Sequence, residues 1–169
     1  MKKSIFIILS IAIVAITFIG CDKTKSYENA DAFVEEALLI TTSISVEDLK
    51  VVIDTATNYL ILDVREPNEH HPGYIPGSVN LPRGLVEFNI GKQEYWDSKF
   101  LYLPLKEDLI IVYCKKGKRG ILAAATLYKM GFTNVKYIEG GFKKWEYTYP
   151  NDYDHDEVGG HVEEEVGGC

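Results

Sequence analysis

The sequence predicts an α/β protein built on a mostly parallel sheet. Short runs rich in β-branched and aromatic residues, at 59–64, 109–113 and 135–138, alternate with longer segments of helical character. The runs are mostly apolar, as expected for parallel strands that are covered on both faces. Strands that alternate with helices in this way form a parallel sheet with right-handed crossovers.

Residues 1–20 have the pattern of a bacterial lipoprotein signal peptide. Two lysines precede an apolar run over 5–19, which is shorter than the ~20 residues that a spanning helix needs. Residues 18–21 resemble the lipobox, whose cysteine is lipidated and becomes the first residue of the mature protein. We therefore expect Cys21 to carry acyl chains that tether the protein in the cell envelope, facing the periplasm or the cell surface. An ordinary cleaved signal and an uncleaved anchor are the alternatives.

The next segment, 21–44, is predicted to be a polar tether that ends in a short helix over 32–40. Residues 45–48, Ser-Val-Glu-Asp, have the capping-box pattern ahead of an amphipathic helix. The folded domain is expected at 45–150, which is long enough to bury a hydrophobic core.

Residues 151–169 form an acidic tail that is predicted to be disordered, because it has few apolar residues and paired glycines. This tail has seven acidic residues and neither Lys nor Arg, so it accounts for the whole net charge of −7. The remaining chain is neutral, which argues against nucleic acid as a partner.

Two groups of side chains in the middle of the chain have a structural rather than a functional interpretation. His70 and His71 are expected to be exposed loop residues, because no cluster of Cys and His accompanies them as a zinc site would require. The segment 84–102 is aromatic-rich and mixed in period, with one or two helical turns. Its residues Phe88, Tyr95 and Trp96 are predicted to pack in the core, although a wall for substrate recognition is the alternative.

The segment 109–130 predicts a reactive cysteine. A buried strand over 109–113 is followed by a tight loop and then by an Ala-rich helix. A strand that turns sharply into a helix directs backbone N–H groups and the positive end of the helix dipole at one point. Cys114 begins this turn, and four cations lie in the next five residues. We expect a thiolate at Cys114 to be stabilised there; an inert cysteine at the end of a strand is the alternative.

Three segments resemble the rhodanese family. Residues 114–119, Cys-Lys-Lys-Gly-Lys-Arg, resemble its active-site loop Cys-x-x-Gly-x-Arg, residues 60–82 resemble its Asp-Val-Arg-Glu and Gly-His-Ile-Pro-Gly segments, and residues 131–145 resemble its Gly-Gly-x-x-x-Trp ending. Two positions depart from the family pattern: Tyr74 stands where His is usual, and Gly120 stands where Ser is common. The resemblance implies a five-stranded sheet covered by helices on both faces.

The resemblance also implies sulfur transfer through a persulfide on Cys114. The substrate would be a small anionic donor such as thiosulfate, the acceptor a thiol or a cyanide-like nucleophile, and no metal or organic cofactor is implied. The expected substrate-binding residues are those of the loop: Lys115, Lys116, Gly117, Lys118, Arg119 and Gly120. Asp63 and Arg65, at the carboxyl end of a neighbouring strand, are expected to support the loop through charged hydrogen bonds.

Two other functions were weighed against sulfur transfer. Phosphatases and arsenate reductases of related folds use Cys-x5-Arg, whereas the spacing here is Cys-x4-Arg and Gly120 occupies the sixth position. A non-catalytic binding module is the third function, which the fold alone does not exclude. Cys169, in the acidic tail, is a candidate second thiol that could take sulfur from Cys114 or form a disulfide with it, and a metal clip through that tail is the weaker variant.

Overall fold

A five-stranded sheet forms the centre of the protein in the computed structural model, which describes residues 25–156. The strands are β1 Thr42–Ile44, β2 Leu60–Asp63, β3 Ser78–Asn80, β4 Ile110–Tyr113 and β5 Val135–Ile138. They lie in the order β1-β5-β4-β2-β3, and each adjacent pair is parallel. The predicted fold class is confirmed, and the carboxyl ends of the strands meet at one edge of the sheet.

Seven α-helices connect and cover these strands in the described part of the chain. They are α1 Ala30–Leu38, α2 Val46–Thr55, α3 Pro67–His70, α4 Val86–Asn89, α5 Gln93–Asp97, α6 Lys118–Lys129 and α7 Gly141–Thr148. The N-cap half of the predicted capping box is present, because the Ser45 side chain accepts a hydrogen bond from the Asp48 N–H at 3.0 Å at the start of α2. The Asp48 carboxylate accepts from the Ser45 hydroxyl rather than from its backbone N–H. The chain up to Ala30 and the chain from Asp31 onward are separate units.

The two faces of the sheet bury separate hydrophobic clusters. Along β4, Ile110 and Val112 belong to the cluster on the α6 face, whereas Ile111 and Tyr113 belong to the cluster shared with α2 and α7. This alternation is that of a strand buried on both faces. Cys114 continues the α6 side, so the strand directs this residue under the amino end of α6.

Two predicted environments are wrong in the structure. His70 is buried rather than exposed, since it ends α3 against Asp63. Phe88 lies on the surface, 75% exposed, because the single turn of α4 turns only Val86 inward. Trp96 and Tyr95 do pack in the core, as predicted.

The beginning of the acidic tail is ordered rather than disordered. Tyr74 and Asp154 form an antiparallel bridge, and the buried Trp145 ring donates its N–H to the Asp152 carbonyl oxygen at 2.6 Å. Tyr153 packs edge-on against Phe142. The prediction of disorder rested on composition, which carries no information about aromatic contacts of this kind. We call residues 151–156 the strap.

The signal-peptide prediction, Cys21 and Cys169 lie outside the described residues. Between residues 25 and 156, no helix is long and apolar enough to cross a membrane.

Candidate active site

The predicted strand–loop–helix element places Cys114 in a nearly closed position at the carboxyl edge of the sheet. Its side chain is 2% exposed, and its Sγ accepts a hydrogen bond from the Gly117 N–H at 3.2 Å. Gly117 has φ 108°, a conformation that favours glycine, and it begins α6. The sulfur therefore lies at the positive end of a 12-residue helix with a backbone donor directed at it.

The amino end of α7 holds the loop from the other side. The Phe142 N–H donates to the Cys114 carbonyl oxygen at 2.8 Å, and the Lys143 N–H donates to the Lys115 carbonyl oxygen at 3.0 Å. The carbonyl groups of Cys114 and Lys115 thus point toward α7. This contact is so close that a Cβ atom on Gly141 would lie 2.2 Å from the Cys114 oxygen. Glycine at 141 is therefore a requirement of the active-site loop, and it was not predicted to be one.

Two of the four loop cations have carboxylate partners. Arg119 forms a bidentate pair with Glu69, with N–O distances of 2.6 and 2.8 Å, and Lys118 pairs with Asp31 of α1. The hydrogen bond with Glu69 is the main cause that raises the pKa of Arg119, and the Cys114 sulfur raises it further. Among residues 25–156, no ion pair links Lys115 or Lys116 to a carboxylate.

Asp63 and Arg65 form a buried charged pair with each other at the carboxyl end of β2. The exposed fractions of these residues are 0% and 2%, and their side chains share three hydrogen bonds of 2.6 to 2.9 Å. Burial raises the pKa of Asp63, but hydrogen bonds from His70 and Arg65 outweigh this effect and lower the pKa overall. The guanidinium group also lies 4.2 Å from the centre of the Phe142 ring, so the pair contacts α7 directly.

A cleft of about 360 Å³ lies beside the loop. Its lining is mostly charged or polar, and it consists of Arg65, Asn68, Glu69, Pro72, Gly73, Lys115, Phe142, Lys143 and Glu146. Cys114 is not among the residues that line this cleft.

The predicted loop residues come together, with one refinement for Gly120. A Cβ atom at this position would lie 3.4 Å from the Cys114 nitrogen, an ordinary van der Waals contact, so the packing of α6 on the end of β4 does not require glycine here. In the described part of the chain, no three His, Cys, Asp or Glu side chains are placed to hold a metal ion.

Sequence reasoning missed the roles of Glu69 and of the α7 residues 141–143. The sequence signal for Glu69 was its position four residues after Arg65, on the turn that follows β2. The sequence signal for Gly141 is the Gly-Gly pair at 140–141, because glycine permits the close approach of two backbone segments.

Comparison with known proteins agrees with this geometry. The model of the rhodanese-like domain matches residues 45–148. The chain is 36% identical over 98 residues to a thiosulfate sulfurtransferase GlpE from Stutzerimonas stutzeri, which covers 58% of this chain and 80% of that protein. It is 34% identical over 88 residues to a putative mitochondrial thiosulfate sulfurtransferase of Schizosaccharomyces pombe, covering 51% of this chain and 62% of that protein's length.

A solved structure from Rhodopseudomonas palustris shares the fold with a TM-score of 0.62 and 31% identity, covering 75% of this chain and 95% of its own. That protein is described as one of unknown function and a possible tyrosine phosphatase. The family model spans more than half of the sequence. The cysteine loop, the five-stranded sheet and the relatives agree with that match. This chain therefore belongs to the rhodanese-like family.

Proposed function

We propose that the protein is a sulfurtransferase that carries sulfane sulfur as a persulfide on Cys114. The observation that carries the proposal is the hydrogen bond from the Gly117 N–H to Sγ at the positive end of α6, which favours a sulfur anion. Thiosulfate sulfurtransferases among the relatives support the same chemistry.

The transfer proceeds by two displacements at sulfur. The Cys114 thiolate attacks the outer sulfur of thiosulfate, the S–S bond of the donor breaks, and sulfite leaves with the bonding electron pair. The enzyme then holds Cys114–S–S⁻, whose negative charge meets the same donor and helix end. An acceptor thiolate or cyanide attacks the outer sulfur, and Cys114 leaves as a thiolate, which closes the cycle without any outside oxidant.

The proposal is tested by the intact mass of the protein after incubation with thiosulfate. We expect an increase of about 32 Da, one sulfur atom, that cyanide removes, since the intermediate is covalent. Cys114→Ala should show no increase, whereas Cys169→Ser should still gain the mass. An unchanged mass in the wild-type protein would support the third function, a non-catalytic binding module.

Phosphate or arsenate chemistry is the second candidate, and the name of the Rhodopseudomonas palustris structure favours it. Against it, the Arg119 guanidinium is already bound in bidentate fashion by Glu69, and oxyanion binding needs a guanidinium that is free to clamp the substrate. Hydrolysis of p-nitrophenyl phosphate that depends on Cys114 would overturn the preference for sulfur transfer.

We also propose that Cys21 is lipidated and that the protein is anchored in a bacterial envelope. The support is the apolar run over 5–19 that stops at this cysteine. In a bacterial host, the full-length protein should sediment with membranes and incorporate labelled palmitate, and Cys21→Ala should lose the label. Retention of both properties by that variant would exclude the lipobox interpretation.

The tail thiol Cys169 is proposed as an internal sulfur acceptor. The strap brings the chain to Asp156, whose N–H donates to the His71 carbonyl oxygen at 3.0 Å, close to Gly73 at the rim of the cleft. Cys169 follows by 13 residues, and a coil of this length would span roughly 20 Å. Its thiolate could attack the outer sulfur of the Cys114 persulfide and become Cys169–S–S⁻.

Peptide mapping of the sulfur-loaded protein under non-reducing conditions tests this relay. We expect part of the added sulfur on the peptide of Cys169, or a Cys114–Cys169 link formed with release of HS⁻. If all sulfur stays on Cys114 and Cys169→Ser turns over at the wild-type rate, the tail has no part in the transfer.

A further inference from the structure

The ring of Tyr74 packs against a histidine of the neighbouring helix α3. Tyr74 stands where the rhodanese pattern usually has His. In the structure the Tyr74 ring stacks on the imidazole of His70, with 4.1 Å between centroids and 11° between planes. An imidazole is therefore present at this place, but it comes from the last residue of α3.

His70 is directed inward, and its surroundings fix its hydrogen-bonding role. Its exposed fraction is 8%, and its Nδ1 lies 2.8 Å from Asp63 Oδ2. Arg65 also donates to both oxygens of that carboxylate, and the lowered pKa of Asp63 keeps it ionised at neutral pH. An ionised carboxylate only accepts hydrogen bonds, so Nδ1 of His70 must carry the proton and donate it.

The contacts of Asp63 continue to the active-site loop. The carboxylate orients Arg65, whose Nη2 also donates to the Gly73 carbonyl oxygen at 2.8 Å. The guanidinium lies over the Phe142 ring at 4.2 Å, and the Phe142 N–H holds the Cys114 carbonyl oxygen at 2.8 Å. Each link is a direct contact, so the imidazole and the reactive cysteine are connected through three side chains.

We propose that His70 is a positioning residue for Cys114, and that positions 70 and 74 are exchangeable sites for one imidazole that donates to Asp63. The donor keeps the carboxylate and Arg65 in one arrangement beneath Phe142. This arrangement holds the carbonyl side of the loop toward α7 and leaves the Gly117 N–H directed at the sulfur. The proposal deepens the proposed function and rests on it for the turnover measurements.

The test compares four variants of the full-length protein. His70→Phe keeps a ring without a donor, and His70→Asn keeps a side-chain N–H donor. The double substitution His70→Tyr with Tyr74→His moves the imidazole to the position of the family pattern. His71→Asn is the matched control, because His71 is the adjacent histidine and contacts Asp156 rather than Asp63.

Two rates are measured well below the unfolding temperature of each variant: persulfide formation from thiosulfate, and alkylation of Cys114 by iodoacetamide followed by peptide mapping. We expect His70→Phe to lower both rates by about tenfold or more, since small displacements of a reacting group are costly. His70→Asn and the double substitution should recover most of the loss, and His71→Asn should match the wild type.

The outcomes separate this inference from the proposed function. Wild-type rates in folded His70→Phe would overturn the positioning role, as would a folded double variant that remains as slow as His70→Phe. If His70→Phe does not fold, the double variant decides, and its failure to fold would show that the two positions are not exchangeable. Absence of persulfide in the wild type would instead overturn sulfur transfer, and the alkylation rates would still test His70.

Discussion

At the scale of single residues, two glycines with the same backbone conformation have very different surroundings. Gly141 has φ +61° and Gly77 has φ +73°, so both lie in the left-handed region. A Cβ atom on Gly141 would overlap the Cys114 carbonyl oxygen, whereas a Cβ atom on Gly77 would meet no atom within 4 Å. Substitution of Gly77 therefore tests backbone strain alone, whereas substitution of Gly141 tests backbone strain together with the close approach of α7 to the loop.

We predict that Gly77→Ala lowers the free energy of unfolding by about 1 kcal/mol, the cost of a left-handed alanine. Gly141→Ala should lower it by about 3 kcal/mol or more, because overpacking adds to the same strain. Urea denaturation measures both values. Gly141→Ala should also slow alkylation of Cys114, and equal losses of stability in the two variants would contradict the close contact.

Asp63 gives a pH prediction. Its pKa is lowered from the ordinary 3.8, so its contribution to stability is complete above that value and is lost as the pH falls through the lower folded pKa. Asp63→Asn should lower the free energy of unfolding at pH 7 by about 3 kcal/mol, because the buried Arg65 loses its partner.

The diagnostic comparison is the pH dependence. The free energy of unfolding of Asp63→Asn should fall less steeply than that of the wild type between about pH 5 and pH 2. Urea denaturation at several pH values in this range measures both slopes. Parallel curves would mean that Asp63 titrates alike in the folded and unfolded chains.

The residues of the site were predicted unevenly, for a physical reason. Cys114 and its cations stand next to each other in the sequence, so their local geometry could be derived from the strand, the turn and the helix. The burial of His70 depends on a partner seven residues away and on a ring at position 74, and neither the hydropathy pattern nor the histidine itself reports such contacts.

At the scale of elements, the amino end of α2 is the most directly predicted feature. The Ser45 side chain accepts from the Asp48 N–H, and its hydroxyl donates to the Asp48 carboxylate at 2.8 Å. A helix end with such a capping pattern depends on interactions between neighbouring residues, so it can be predicted from the sequence. The same holds for the apolar strands. The segment 84–102 folds into single turns, α4 and α5, whose few residues show no clear period, so its helices could not be bounded from sequence.

We predict that Ser45→Ala lowers the free energy of unfolding by about 1 kcal/mol, the usual value of an N-cap side chain. Ser98→Ala is the control, since the Ser98 hydroxyl donates to a carbonyl at the end of α5 and caps no N–H group. Thermal or urea denaturation would show the difference, and similar losses in both variants would argue against the cap.

At the scale of the whole molecule, the domain extends beyond the predicted boundary at residue 150. The strap joins Tyr74, Trp145 and Phe142 through a backbone bridge, a hydrogen bond and an aromatic contact. It thus connects the turn after α3 with α7, the two elements that flank the cleft. The packing of the strap could not be predicted from composition, because its acidic residues indicate disorder and the contact of its single tyrosine, Tyr153, depends on the fold.

We predict that a chain ending after Asp156 unfolds with the stability of the full-length protein. A chain ending after Pro150 should be less stable by about 2 kcal/mol, because the buried Trp145 N–H would lose its acceptor. Urea denaturation of the two truncated proteins makes the comparison. Equal stability would show that the strap adds nothing to folding.

The contact between α7 and the loop has a consequence for how the loop of a rhodanese-like domain can be lengthened. With the carbonyl groups of Cys114 and Lys115 both bound by α7, a longer loop cannot grow outward on that side without breaking these bonds. Inserting one residue to obtain the Cys-x5-Arg spacing of an oxyanion loop therefore requires a redesigned 139–143 turn as well. An engineer who aims at phosphate esters should vary both segments in one library, and we expect single insertions alone to yield inactive protein.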